Sequence, residues 1–287
     1  MIDVLESVGR ALADPWGETL MQRAFAEIAL LGIVGGALGC WIVFYELSYS
    51  TESFSHALFP GLVVAALTGV PLMLGGAVGL IVAALAIALA GRAPEIGADT
   101  AIAVVVSALF GLGAVLALSA SSPPGLQGLL FGDILGVANI DLLSALILAV
   151  LTLAALRVLH RQLLVVGFDR LSAHPLGGRP LVADAALLLL VALSVLVGVQ
   201  GLGALLVVTI LVGPAASARL VARRMAPMMA LATVFAVLTG AGGLYLSYYA
   251  DTAGGASIAA VVVALYLGLW IGSLRRHTTN KLQPVSA

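Results

Sequence analysis

Long apolar runs, broken by short polar turns, are the feature that most limits what this chain can become. Nine of them follow one another at roughly 24–46, 53–70, 72–91, 99–119, 134–156, 181–199, 202–222, 227–249 and 256–274. These runs reach or approach the ~20 residues that a helix needs to cross the hydrocarbon of a bilayer. The sequence therefore predicts an all-α, polytopic membrane protein with about eight to nine transmembrane helices. Only the turn at Val70-Pro71 separates the second run from the third, so one of that pair is short or re-entrant and eight to ten crossings bracket the count. Composition agrees: hydrophobic residues make up 62% of the chain and charged ones 9%, against roughly 25% charged in a soluble domain.

The polar remainder gives orientation. Arg157, Arg161, Arg170 and Arg179 fall at or within a loop read as 157–180, and Arg219, Arg223 and Arg224 sit at the next such turn. Arg92, Arg275, Arg276 and Lys281 fall at two more, while the alternate loops near 120–133, 199–203 and 250–255 hold no Lys or Arg. Basic loops stay in the cytoplasm, so this set is predicted to face inward. Residues 1–20 carry Asp3, Glu6, Asp14 and Glu18 and read as an amphipathic surface segment, with Val4, Leu5, Val8 and Leu12 near helical spacing. The expected organisation is residues 1–20 as this segment, 21–275 as the membrane domain and 276–287 as a cytoplasmic tail. Net charge is -1, which gives no reason to expect nucleic-acid binding. A single cysteine, Cys40, rules out an internal disulfide and a Cys-based metal site. Trp16, Trp41, Trp270 and Tyr248-Tyr249 fall near run ends, where interfacial anchors belong.

One stretch concentrates ionisable groups at membrane depth: ELSYSTESFSHALFPG, from Glu46 to Gly61. Glu52 and His56 are four apart and share a helix face. Pro60-Gly61 then breaks or bends that helix. Such groups are expensive in a bilayer and mark a pathway or a site. Carboxylate oxygen with imidazole nitrogen suits Mn²⁺, Zn²⁺ or Fe²⁺ better than Ca²⁺ or Mg²⁺. The plainer alternative is a buried histidine bonded to Glu52 or to backbone. Glu27 and Glu46, near opposite ends of the first run, are further pathway candidates, with a place at the membrane interface as the alternative for Glu46.

Several motifs, in order, resemble the permease subunits of the ABC-3 family of manganese, zinc and iron importers. Ser55-His56-Ala57 with Pro60-Gly61 looks like that family's SHAxxPG signature, and Asp99-Thr100-Ala101 like its Asp-Thr-Ala motif. Leu130 to Leu135, with Asp133, looks like LFGDIL; Phe168-Asp169, Ala173 and Gly177 match FDxxxAxxxG. Pro214-Ala215-Ala216 resembles PAATA, and Ser247-Tyr248 with Asp251 resembles the last motif more loosely. Glu52 stands where manganese and zinc members usually carry Asp.

The resemblance implies a permease that alternates access, working as a homodimer with two cytoplasmic ATPase subunits and an extracytoplasmic metal-binding protein in a bacterial cytoplasmic membrane. The divalent metal ion is then cargo, with no permanently bound cofactor and no catalytic residue in this chain. No GxxxxGK[ST] loop is present, so ATP hydrolysis belongs to a partner. Glu52, His56 and Glu46 become the candidate metal residues. Phe168, Asp169, Ala173 and Gly177 become the contact with the ATPase, on a short helix over roughly 170–176. Pro60, Gly61, Asp99, Asp133, Pro214 and Asp251 are structural or gating candidates. Asp99 and Asp133 also read as helix caps, and Asp251 as a solvated loop charge. A self-contained secondary transporter driven by an ion gradient is the alternative from another class.

Overall fold

A computed structural model describes residues 14–90, 98–118, 132, 134–170, 173, 175, 177–204 and 206–281, without the side chains of 98–99 and 275–281. Among these residues the fold is entirely helical. Ten α-helices follow a 3-10 turn at Asp14–Gly17: α1 Thr19–Phe44, α2 Ser48–Ala57, α3 Phe59–Thr68, α4 Leu72–Ala90 and α5 Ala98–Ala117. After a second 3-10 turn at Ile134–Gly136 come α6 Asn139–Phe168, α7 Pro180–Leu202, α8 Val207–Arg219, α9 Met225–Ala250 and α10 Gly254–Lys281. Seven of them (α1, α4, α5, α6, α7, α9 and α10) are long and apolar enough to cross a membrane. The expected second run is a helix in two pieces, α2 and α3, and the seventh is the short α8.

The α2–α3 joint keeps helical backbone geometry. Leu58 ends one piece and begins the other in helical geometry, with φ -76° and ψ -17°. Pro60 falls in the first turn of α3, where its missing N–H costs no intrahelical bond. The proline thus starts a helix rather than ending one.

α1 is the hub, buried along most of its length and packed against α6, α7, α8 and α9. Small residues make that possible. A Cβ on Gly32 would lie 3.2 Å from the backbone nitrogen of Val237 in α9, and one on Gly35 would lie 2.6 Å from the Ile210 carbonyl oxygen in α8. Pro214 sits inside α8 and offers no N–H to the Ile210 carbonyl. The side-chain-free surface of α1 nests at that point.

Two sequence expectations are corrected. Arg157 and Arg161 do not lie in a loop, because α6 continues through both to Phe168. Long cationic side chains can reach the interface from a helix, so a basic residue need not end one. Trp41 is not an interfacial anchor: it is fully buried, edge-on to Phe44, Tyr45 and His160. Trp16 stacks on Phe25 at 4.6 Å and donates to the Tyr245 hydroxyl at 2.8 Å.

Candidate functional site

α2 is the polar piece of an otherwise apolar bundle. Its hydroxyls turn inward onto its own backbone: Thr51 donates to the Leu47 carbonyl at 2.9 Å and Ser55 to the Glu52 carbonyl at 2.8 Å. That leaves Glu52 and His56 on one face, as four-residue spacing dictates. Glu52 Oε1 lies 3.9 Å from His56 Nε2. The distance is too long for a hydrogen bond. It is short enough for one ion at about 2.1 Å from each atom, after a small side-chain adjustment. The histidine is held by its ring, which meets Phe110 of α5 edge-to-face at 4.9 Å and 72°. Its Nδ1 is buried and has no protein partner. The Glu52 side chain is 60% exposed, whereas that of His56 is 23% exposed.

Both side chains open onto a cleft of about 330 Å³ whose other wall is α8: Val208, Thr209, Val212 and Gly213. The expected roles did not include this wall. Its one signal in the sequence is Thr209, a lone hydroxyl within the apolar run before Pro214. Pro214 itself is buried in α8, just beyond the cleft residues.

The other candidates lie elsewhere. Glu46 is exposed in the tight turn between α1 and α2, with φ at 59°. Among the described residues no three of His, Cys, Asp and Glu gather where they could hold a metal, so Glu46 does not join the pair. Glu27 is buried in α1, packed on Gly201 of α7 with Oε2 unpartnered, and does not line the cleft. Gly61 meets the Gly75 carbonyl where α3 packs on α4, and Pro60 faces Gly113 of α5. Asp99 falls in the first turn of α5. Asp133 lies outside the described residues. Asp251 ends α9 in left-handed geometry, its N–H bonded to the Ser247 carbonyl.

The 168–177 segment forms the turn from α6 to α7. Phe168 is 78% exposed at the end of α6 and meets Phe44 edge-to-face at 5.3 Å. Asp169 caps the end of α6 in extended geometry, with φ -147° and ψ 100°. Ala173 is fully buried, and its carbonyl accepts the Gly178 N–H at 2.8 Å. Gly177 adopts φ 77°, a conformation glycine takes without penalty. Residues 171, 172, 174 and 176 of the expected short helix lie outside the described residues. Two contacts brace the turn from behind. Arg170 pairs with Asp184 of α7, and the Tyr45 hydroxyl donates to the Leu163 carbonyl at 2.7 Å. Burial, with Asp184 nearby, pushes the Tyr45 phenol up to about 12, so it remains a donor across the neutral range.

The architecture is shared with known proteins. A chain in the structure of PsaBC from Streptococcus pneumoniae in complex with Fab superposes with a TM-score of 0.84 at 28% identity, covering 92% of this chain and 95% of that one. The manganese transport system membrane protein MntC of Listeria innocua is 34% identical over 254 residues, 87% of this chain and 91% of that protein. The chelated iron transport system membrane protein YfeD of Yersinia pestis is 29% identical over 277 residues, 96% of this chain and 93% of that protein. Matched from residue 18 to residue 272, nearly end to end, this multi-pass membrane chain belongs to the ABC 3 transport family.

Proposed function

We propose that this chain is the permease subunit of an ATP-driven importer of divalent transition metal ions, with manganese the first candidate and iron the second. The observation that carries the reading is the Glu52–His56 pair, held four residues apart on α2 at the mouth of a cleft. One oxygen and one nitrogen donor favour a borderline transition metal. Two protein ligands bind such an ion only weakly, and weak binding suits a pathway that must also release it. Relatives named for manganese and iron transport support the same cargo class.

In this reading two copies of the permease face each other in a bacterial cytoplasmic membrane, and an extracytoplasmic protein delivers the ion. Further ligands come from the second copy or from water. A pair of cytoplasmic ATPase subunits contacts the turn around Phe168, Asp169, Ala173 and Gly177, and nucleotide-driven closure switches the facing of the cleft. The permease itself catalyses no reaction.

The test is metal uptake by the complete transporter in a metal-starved strain, with competition among Mn²⁺, Fe²⁺ and Zn²⁺. Glu52→Ala and His56→Ala are each expected to abolish uptake while the complex with the ATPase still assembles. The metal that competes best names the cargo. Wild-type rates in both variants would remove this pair from the pathway.

A further inference from the structure

A second cavity, unrelated to the cleft, lies between α6 and α9. Both helices pack on α1 and leave a space of about 690 Å³ between them. Its lining divides by chemistry. Leu153, Leu156, Ala226 and Met229 form an apolar part, and Arg157 and His160 form a polar one. Among the described residues no acidic one lines it, and none brings a carboxylate within ion-pair distance of Arg157. The His160 ring is fixed edge-on against buried Trp41, 5.4 Å away at 83°. Arg157 and His160 are one turn apart on α6, so both point to the same side of that helix.

Depth fits this division. Arg157 lies about 27 Å along α6 from Asn139 at 1.5 Å per residue, close to the far edge of a hydrocarbon core about 30 Å thick. Leu153 and Leu156 lie on the hydrocarbon side. Ala226 belongs to the first turn of α9, whose amino end adds positive potential at the same level. The arginines of this end, including Arg161, Arg223 and Arg224, place it in the cytoplasmic leaflet, where anionic lipids reside.

We infer that the α6–α9 cavity is a binding site for an anionic phospholipid, with its phosphate held by Arg157 and His160 and an acyl chain lying on Leu153, Leu156 and Met229. Charge complementarity selects the headgroup, and the apolar wall selects a lipid over free phosphate. The site is independent of the metal pathway, because none of its residues lines the Glu52–His56 cleft.

Native mass spectrometry of the full chain in detergent, titrated with phosphatidylglycerol or phosphatidylcholine, tests this. Phosphatidylglycerol is expected to bind in preference to phosphatidylcholine. Arg157→Gln should weaken phosphatidylglycerol binding about fivefold, the equivalent of one basic residue at an anionic membrane surface. Ala226→Trp keeps both basic groups but fills the cavity, and it should lower binding of the same lipid. Equal binding of the two lipids, or unchanged phosphatidylglycerol binding in both variants, overturns the site. Displacement of the lipid by equimolar inorganic phosphate overturns the lipid as its occupant.

Discussion

A methyl group on Gly35 would test the seam that joins the hub helix to the cleft wall. A Cβ there meets the Ile210 carbonyl oxygen at 2.6 Å, the Ile210 carbonyl carbon at 3.2 Å and the Leu211 Cα at 3.4 Å. All three are backbone atoms, so no side chain can rotate away. Ordinary contact begins near 3.4 Å, and Gly35→Ala therefore drives α1 and α8 apart by about 0.8 Å. A gap of that size forfeits about a quarter to a half of the dispersion attraction across the seam. Comparable overpacking costs about 1–3 kcal/mol. Alanine's better helix propensity offsets up to about 1 kcal/mol, so the control is Gly268→Ala. There a Cβ meets nothing within 4 Å and the propensity gain is the same. At about 2–4 °C per kcal/mol for larger domains, Gly35→Ala should melt roughly 2–12 °C below Gly268→Ala. Thermal unfolding of detergent-solubilised protein, read by size-exclusion chromatography, measures the difference. Metal uptake should fall in the same variant, because α8 carries one wall of the cleft. Equal melting temperatures for the two variants would refute the argument.

Three further outcomes follow from the turn between α6 and α7. Phe168→Glu places a charge on a side chain that is 78% exposed at the end of α6, and should reduce co-purification with the ATPase while the permease stays monodisperse; undiminished co-purification would count against this contact. Tyr45→Phe removes the hydrogen bond to the Leu163 carbonyl and should cost about 1 kcal/mol of stability, seen as a melting temperature a few degrees lower. Asp184→Asn breaks the pair with Arg170, whose side chain is 60% exposed, so its effect should stay below about 1 kcal/mol; a larger loss would show that the ion pair does more than brace a surface turn.

The membrane class, the apolar runs and the Glu52–His56 register were legible because each depends on local sequence: run length against bilayer thickness, and four-residue spacing on a helix. What escaped depended on packing between distant segments. The residues Val208, Thr209, Val212 and Gly213 become a cleft wall only when α8 meets α2, and nothing near them in sequence announces it. Trp41 reads as an interfacial residue by position, yet α6 brings His160 across to cover it. The sequence marks a loop at Arg157 and Arg161, whereas α6 continues to Phe168, because long arginine stems let the charge reach water from within a helix. Pro60 was legible as a discontinuity but not as a helix start, since the geometry at Leu58 decides between the two.

α8 has 13 residues, about 20 Å of helix at 1.5 Å per residue, which is too short to cross the bilayer. Val208 and Thr209 of its first turn line the cleft, so the amino end of its dipole, worth roughly half a positive charge, lies beside Glu52. Positive potential at that wall would oppose a cation entering the cleft. Under the import reading proposed above, the half-helix would shorten the stay of an ion at the Glu52–His56 pair and favour its release over tight retention.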